Sequence, residues 1–412
     1  SFELMVIGRE KLPISDDLYI KMNARGKGLT NFENFKADLV AWIQNPQNPD
    51  RSYFEEQIPV ALYIKMNASG KELTCFEKQK NTISYKQYYP SRIDNKWTDV
   101  FWNFARERMG REFDGRIDEI YFSFINRFVL NEICLNSLMS PVEYAQGRED
   151  ESHRDEKKDF DRLFGTGLQG LSADDSLVRY EGFEIYSKYL NFKTLEEIDY
   201  IFEKIDSSSI INVIDSELNI KEADEDGNDK GHNSNGYSFI PRYSMGQEHT
   251  LVPTSQKERV YFLAVWRFIL NGRMTNEFDE IKFSRWMRVV KNLTENAAID
   301  NIPAMVTCLR LINKLSEKMI DFNNDIYKCL KNYSDSFSGS QLEYQLREEK
   351  EKAEKILSDD TWEDKIKEAE SFAFFNGTIR FLYRNVTTVE WDDFDTKYET
   401  AKKLFKSSAS NH

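Results

Sequence analysis

The chain has 412 residues and a formal net charge of −14, and 40% of its residues are hydrophobic. This length predicts two or three domains, and the apolar content is sufficient to fill a sizeable core. The negative charge excludes a protein whose whole surface coats nucleic acid, so any DNA contact has to be a local basic patch.

The first structural unit is predicted to be a strand, a tight turn and a helix. Residues 18–22 alternate between apolar and polar side chains, as in a half-buried strand. Residues 23–28 have the Asn and Gly content of a tight turn. Thr30 and Glu33 form a capping box at the start of a helix. Its apolar positions, at helical spacing, are Phe32, Phe35, Leu39, Val40 and Ile43.

The same pattern recurs once in residues 62–77, where Asn67 corresponds to Asn23 and Ser69 corresponds to Arg25. The residues after Phe76 are polar, so we expect a weak second helix. Two copies are too few for a solenoid, which needs about three repeats.

From Trp97 onward the apolar residues follow the helical period. Thr194 and Glu197 predict a capping box at the start of one helix, and Ile210 to Val213 predicts a short strand. Residues 340–357 predict a solvated helix with one packed edge. The ranges predicted to be helical are 97–105, 117–138, 177–190, 194–205, 256–271, 276–296, 303–332, 340–357, 361–373, 377–384 and 391–405.

The predicted fold is therefore mostly α, with a small α+β N-terminal part followed by a multi-helix domain. Residues 1–95 form the duplicated strand–turn–helix segment, and residues 96–220 form a helical domain. Residues 221–250 are predicted to be a flexible polar linker or loop, because Lys221 to Asn235 is polar and acidic. Residues 251–412 form a C-terminal helical bundle.

Basic and turn-forming residues at the first helix N-terminus suggest an anion site. Free backbone N–H groups and the helix dipole favour a nucleotide or DNA phosphate there. The alternative is a simple turn whose basic side chains are solvated, and the segment is not a P-loop. The predicted phosphate-binding residues are Lys21, Asn23, Arg25, Gly26 and Lys27.

A second basic set, Arg285, Arg288 and Lys291, lies at three-residue spacing beside Trp286. This spacing suggests a stripe that contacts the DNA backbone, with the indole as an aromatic anchor. The alternative is a solvated basic edge on a packed helix.

The sequence predicts no metal site and no disulfide. The acidic residues 224–229 fail the EF-hand pattern, and the four histidines are too dispersed to suggest zinc. Cys75, Cys134, Cys308 and Cys329 form no C-x-x-C pair, which favours free thiols in the cytoplasm. No apolar run approaches the roughly 20 residues of a membrane span, and no signal peptide is predicted.

Four segments together resemble one protein family. Residues 18–37, LYIKMNARGKGLTNFENFKA, resemble the N-x-R-G-x-x-L segment of domain-of-unknown-function family 262, the GmrS-like half of GmrSD-type modification-dependent restriction systems. Residues 92–102 (RIDNKWTDVFW), residues 285–293 and residues 362–377 are similar to later parts of the large bacterial members. The resemblance therefore covers most of the chain.

Two family features are not found in this sequence. The D-G-Q-Q-R motif, which lies upstream in a ParB/sulfiredoxin-like nucleotide-handling fold, does not occur, and neither does the His-Asn-His nuclease domain. We therefore expect the chain to correspond to the middle and C-terminal portion of a family member and to be catalytically silent by itself.

The resemblance implies a restriction or phage-defence component that links nucleotide binding to the recognition of foreign, modified DNA. DNA and a nuclease domain or subunit are the implied partners, with no membrane. No cofactor is expected in this chain, whereas a nucleoside triphosphate with Mg is implied for the full-length parent, a candidate NTP-dependent endonuclease subunit. The alternatives are a helical protein–protein interaction scaffold and an inactive regulatory relative.

Overall fold

The computed structural model describes fourteen ranges of the chain, and all structural statements refer to them. The described residues are 29–59, 82–109, 117–136, 180, 182–206, 208–219, 237–243, 251–252, 254–274, 277–299, 302–334, 341–372, 374–385 and 388–409. They are mostly α-helical with one small strand pair, which confirms the predicted fold class.

The helices of the first half are α1 (Asn31–Gln44), α2 (Arg51–Glu55), α3 (Tyr85–Asp94), α4 (Lys96–Met109), α5 (Ile117–Asn136), α6 (Tyr186–Tyr189), α7 (Phe192–Ile205) and α8 (Ser208–Leu218). Those of the second half are α9 (Gln256–Asn271), α10 (Glu280–Glu295), α11 (Ile302–Met319), α12 (Ile326–Asn332), α13 (Gln341–Ser358), α14 (Trp362–Glu370), α15 (Arg380–Tyr383) and α16 (Phe394–Ala409). Within the described ranges, no helix is long and apolar enough to cross a membrane.

Helix α1 begins at the predicted capping box. The Glu33 amide donates to Thr30 Oγ1 at 3.1 Å, and the Thr30 amide donates to Glu33 Oε2 at 2.7 Å. The reciprocal bonds satisfy two amides that have no helical partner. The helix ends at Gln44, just before the Asn45-Pro46 breaker, and four of its predicted apolar positions are buried.

The described sheet has two antiparallel strands, β1 (Gln57–Pro59) and β2 (Thr82–Ser84). Ile58 pairs with Ile83 at the centre of the register, and both side chains are buried. The strand predicted at 18–22 and its repeat at 62–77 lie outside the described residues, so the duplicated unit stays a prediction.

The predicted strand Ile210 to Val213 is wrong, because these residues lie within α8. Ile211 and Ile214 are buried and lie three positions apart, so they share one face of a helix. Tertiary packing of that face outweighs the β-propensity of a run rich in Ile and Val.

The capping box predicted for Thr194 and Glu197 is also wrong, because α7 begins two residues earlier. Asn191 is the N-cap, and its Oδ1 accepts from the Thr194 amide at 2.9 Å. The Thr194 hydroxyl in turn accepts from the Asn191 amide at 2.6 Å. Thr194 therefore occupies the third helical position, which the prediction assigned to Glu197.

The predicted long helix 303–332 is interrupted. Asn323 and Asn324 have φ values of 54° and 59°, in the left-handed region that asparagine tolerates and that a continuing α-helix excludes. Asp325 then caps α12 by accepting from the amides of Tyr327 and Lys328. The run is therefore two helices joined by a tight reversal.

The buried apolar residues form one connected core. Helix α5, predicted to be buried on most sides, lies within it, and Phe128 stacks on Trp266 of α9 with ring centroids 4.6 Å apart. Phe239 and Ile240 are each 1% exposed and belong to the same core, although they fall in the segment predicted as a flexible linker. The described parts of the predicted domains therefore share their apolar interior.

Candidate functional site

The predicted phosphate-binding residues, Lys21, Asn23, Arg25, Gly26 and Lys27, lie outside the described residues. The same holds for Lys221 to Asn235. Binding of an anion at the first turn therefore stays a prediction.

The structure places the second basic set, Arg285, Arg288 and Lys291, on α10. Arg285 donates from Nε and Nη2 to the two carboxylate oxygens of Glu363, at 2.9 and 2.5 Å. Arg288 Nη1 donates to both carboxylate oxygens of Glu370, at 2.7 and 2.8 Å. Both arginines therefore turn toward α14 and form ion pairs within the fold, which neither sequence-based interpretation foresees.

The other two residues of this set have different surroundings. Lys291 is half-buried, and its ammonium has no ion pair with the described residues. The Trp286 ring is fully buried, and its Nε1–H donates to the Ala264 carbonyl at 3.0 Å. The indole is therefore part of the core and is not an exposed anchor for DNA.

Behind the arginines lies a buried ammonium group, that of Lys352 on α13. Lys352 Nζ is 2.8 Å from a carboxylate oxygen of Glu348, 2.8 Å from Glu349 and 2.9 Å from Glu370. It also donates to the Gly377 carbonyl at 2.7 Å. Four oxygens therefore surround one charge that has no contact with solvent.

Further donors complete this buried ion cluster, defined here as Arg288, Glu348, Glu349, Lys352 and Glu370. Asn292 Nδ2 donates to Glu349 at 3.1 Å and to Glu370 at 2.9 Å. The Ile379 amide donates to Glu348 at 2.6 Å. The cluster thus ties α10, α13, α14 and the segment before α15 together.

The opposite charges of Lys352 and Glu370 favour each other's ionised forms. Burial alone would lower the pKa of Lys352, but the carboxylates of Glu349, Glu370 and Glu348 outweigh it and raise the pKa. Burial would raise the pKa of Glu370, but Arg288 and Lys352 hold it below its usual value. Glu370 and its cationic partners Lys352 and Arg288 therefore stabilise one another's ionised forms, whereas burial and the neighbouring Glu349 outweigh Lys352 and raise the pKa of Glu348.

Gly377 is the residue at which the backbone before α15 comes close to the buried ion cluster. Its φ is +83°, and a Cβ built on it would lie 2.3 Å from Asn292 Oδ1. The left-handed conformation suits glycine, and the contact with Asn292 leaves no room for a side chain. Gly377 therefore presents its carbonyl to Lys352 only because it has no side chain.

Sequence reasoning missed Glu348, Glu349 and Lys352 because α13 was predicted to be solvated, and it missed Glu370 of α14 because its partner Arg288 is far away in the sequence. A signal was nevertheless present in the sequence. The buried apolar residues Leu342, Leu346, Ala353 and Ile356 define one face of α13. Gln345, Glu349 and Lys352 fall on that face at three- and four-residue steps, which would have placed them inside.

A second buried polar network lies around Asp199 of α7. Arg92 Nε and Trp97 Nε1 donate to Asp199 Oδ1 at 2.7 and 2.6 Å, and the Tyr88 hydroxyl donates to Oδ2 at 2.6 Å. Arg92 also donates to Glu203 at 3.0 Å. Burial and the nearby Asp199 carboxylate raise the pKa of Tyr88, so its phenol stays protonated.

An open cleft of about 520 Å³ lies between α8, α10 and α14. Lys367 lies at its wall and pairs with Glu363 at 2.9 Å, which places the cleft beside the ion pair of Arg285. Ile281, 69% exposed, is also part of the lining. The polar lining residues are Asn212, Ser216, Glu217, Glu280 and Ser284.

The described residues contain no group of three or more His, Cys, Asp or Glu side chains arranged to hold a metal ion. No family model, curated protein or solved structure matches the chain.

Proposed function

We propose that the chain is a component of a GmrSD-like restriction or phage-defence system and contributes nucleotide-linked recognition of foreign, modified DNA. The sequence resemblance is the basis of this proposal. The observation that supports it is that two of the family-like segments, 285–293 and 362–377, contact each other beside the buried ion cluster, through Arg285–Glu363, Arg288–Glu370 and the close approach of Gly377 to Asn292.

The contacting residues of the two segments depend on each other physically. A buried charge left without its partner costs several kcal/mol. A sequence that contains one residue of such a cluster therefore has to contain its partners as well. In the 92–102 segment, Arg92 and Trp97 both donate to the buried Asp199 carboxylate of α7, which lies outside the family-like segments. Segments far apart in sequence are therefore expected to occur together in proteins that build the same helical body.

This proposal divides the basic residues into two roles. Arg285 and Arg288 hold α10 against α14, whereas the predicted turn containing Arg25 provides the contact with phosphate. The test is the plating efficiency of phages with modified bases on cells that carry the whole system. Arg25→Ala is expected to remove protection, and the matched change Ser69→Ala in the repeat is expected to retain it. Protection that survives Arg25→Ala contradicts the proposal.

A helical interaction scaffold is the second candidate, and one surface feature favours it. Phe374 and Phe381 are 45% and 50% exposed, and the Phe374 ring stacks on Phe405 at 5.1 Å. Contiguous exposed aromatic surface is typical of protein–protein contacts. If the chain is such a scaffold, the double change Phe374→Ser and Phe381→Ser is expected to abolish both co-purification with the nuclease subunit and protection against phage. Arg25→Ala is then expected to abolish neither.

A further inference from the structure

Two tryptophans near the C-terminus form a corner of aromatic surface. The rings of Trp362 and Trp391 lie 5.1 Å apart between centroids, with an interplanar angle of 70°. Tyr383 stacks behind Trp391 at 3.9 Å, and Phe394 lies 5.4 Å from Trp362. Both tryptophans are half-buried. The corner is therefore supported from behind and reaches the solvent.

Backbone hydrogen bonds fix both walls of this corner. Trp362 is the first residue of α14, and its amide donates to the Asp359 carbonyl at 3.2 Å. On the other side, the Glu390 amide donates to the Tyr383 carbonyl at 2.6 Å, immediately before Trp391. These bonds fix the backbone on which each indole ring is carried, and the two rings contact each other edge to face.

A cation lies against this corner. Lys355 Nζ is 4.3 Å from the ring centroid of Trp362 and 5.8 Å from that of Trp391. Both distances are within the range in which a ring face attracts an ammonium group. Lys355 forms no ion pair with the described residues, so the ring faces of Trp362 and Trp391 are close contacts of its ammonium group.

Besides the lysines that contact Trp362, the sequence next to the corner carries exposed negative charge. Two aspartates precede Trp362 and two follow Trp391 in sequence, and all four are exposed. They are Asp359, Asp360, Asp392 and Asp393. Exposed carboxylates raise the local concentration of cations.

We propose that Trp362 and Trp391 form a binding site for an alkylammonium cation, and that Lys355 is its internal occupant. The ligand is a lysine or methylated lysine side chain of a partner, or a small tetraalkylammonium compound, since these share the charge and the polarisable methyl or methylene surface that stacks on indole. An incoming cation displaces the Lys355 ammonium into water, so the lysine competes with every ligand of the site.

The test uses the full chain labelled with 5-fluorotryptophan, whose seven resonances are assigned with Trp362→Phe and Trp391→Phe. Tetramethylammonium chloride is titrated against sodium chloride at equal ionic strength. In Lys355→Ala, the resonances of Trp362 and Trp391 are expected to shift and saturate at a concentration about tenfold lower than in the parent chain, the factor that a cation–π contact of ordinary strength supplies.

Lys365→Ala is the matched control. Lys365 Nζ lies 5.0 Å from the Trp362 ring but pairs with Asp395 at 2.7 Å, and Lys365→Ala leaves Lys355 in place. This variant is expected to titrate like the parent chain. Lys355→Gln removes the charge and keeps part of the aliphatic stem. It replaces Lys355→Ala if circular dichroism shows that the alanine variant is misfolded.

A second titration separates the two sources of the ligand. If Nα-acetyl-Nε-trimethyllysine amide saturates the site at lower concentration than tetramethylammonium does, a partner side chain is supported, and equal concentrations support a free ammonium compound. If the resonances of Trp362 and Trp391 in the folded variants move no more than those of the other five tryptophans with either probe, the proposal is overturned.

Discussion

At the scale of single residues, the buried ion cluster shows what one side chain contributes. Lys352 has three carboxylate neighbours within 2.9 Å and no exposed surface. Removing one partner from such a group leaves uncompensated charge inside the protein, which costs far more than losing an ion pair at the surface.

Lys352→Met is therefore expected to lower the free energy of unfolding by about 3–5 kcal/mol. Arg347→Met on the same helix is the control, because its pair with Glu343 is exposed and contributes only about 0.3–0.5 kcal/mol. Urea denaturation measures both. Adding Glu349→Gln to Lys352→Met is expected to recover part of the loss. Equal effects of the two single changes would show that the carboxylates around position 352 gain solvent or new partners when the ammonium is removed.

Gly377→Ala tests the close approach at the same cluster. The added Cβ meets Asn292 Oδ1 at 2.3 Å and also has to adopt a φ of +83°, so a loss of about 1–3 kcal/mol is expected. Gly182→Ala separates the two causes, because Gly182 has a φ of +129° but no atom within 4 Å of the added Cβ. A smaller loss at Gly182 than at Gly377, measured by urea denaturation, shows that the contact with Asn292 contributes beyond the backbone strain.

At the scale of elements, local signals predicted helix starts only where no competing residue was near. The Thr30 capping box is confirmed: the Thr30 side chain accepts from the Glu33 amide, and the Glu33 side chain reaches back to the Thr30 amide. At Thr194 the same pattern failed, because Asn191 lies three residues earlier and is a stronger N-cap. The pairing of α10 with α14 could not be predicted, since it joins residues such as Arg285 and Glu363 through long-range packing that no local pattern encodes.

The pairing of α10 with α14 predicts a pH dependence. Burial raises the pKa of Glu363, but hydrogen bonds from Arg285 and Lys367 outweigh it and lower the pKa from 4.5 to about 2. A lowered folded-state pKa stabilises the fold above the unfolded value, and this contribution is lost as the pH falls through the folded value. The difference in unfolding free energy between the parent chain and Glu363→Gln is therefore expected to shrink from about pH 4.5 to about pH 2. A constant difference would contradict this assignment.

At the scale of the whole molecule, composition and periodicity predicted the fold class but not the number of cores. The boundary at residue 220 was placed by the polarity of Lys221 to Asn235. Apolar residues on both sides of that segment, such as Phe124 of α5 and Phe262 of α9, nevertheless contact each other at 5.2 Å between ring centroids. The polarity of a segment indicates that it is solvated. It does not indicate whether the helices before and after it in the sequence pack against each other.

The last prediction uses three buried cysteines as reporters of this shared core. Cys134 lies in α5, Cys308 in α11 and Cys329 in α12, and all are free thiols. Burial raises the pKa of each thiol to about 12, and since the thiolate is the reactive form, none is expected to react with Ellman's reagent in native buffer.

If the helices before and after residue 220 unfold as one unit, the three thiols become reactive at the same urea concentration. Three variants are compared, and each keeps only one of these cysteines. The other cysteines, including Cys75, are changed to serine. The urea concentration at which each thiol becomes reactive is corrected for the stability of its own variant. Cys134 is the informative position, since it lies in the segment predicted as a separate domain. Exposure of Cys134 at a distinctly lower urea concentration than Cys308 and Cys329 would show two independently folding units, whereas coincident exposure supports a single cooperative core.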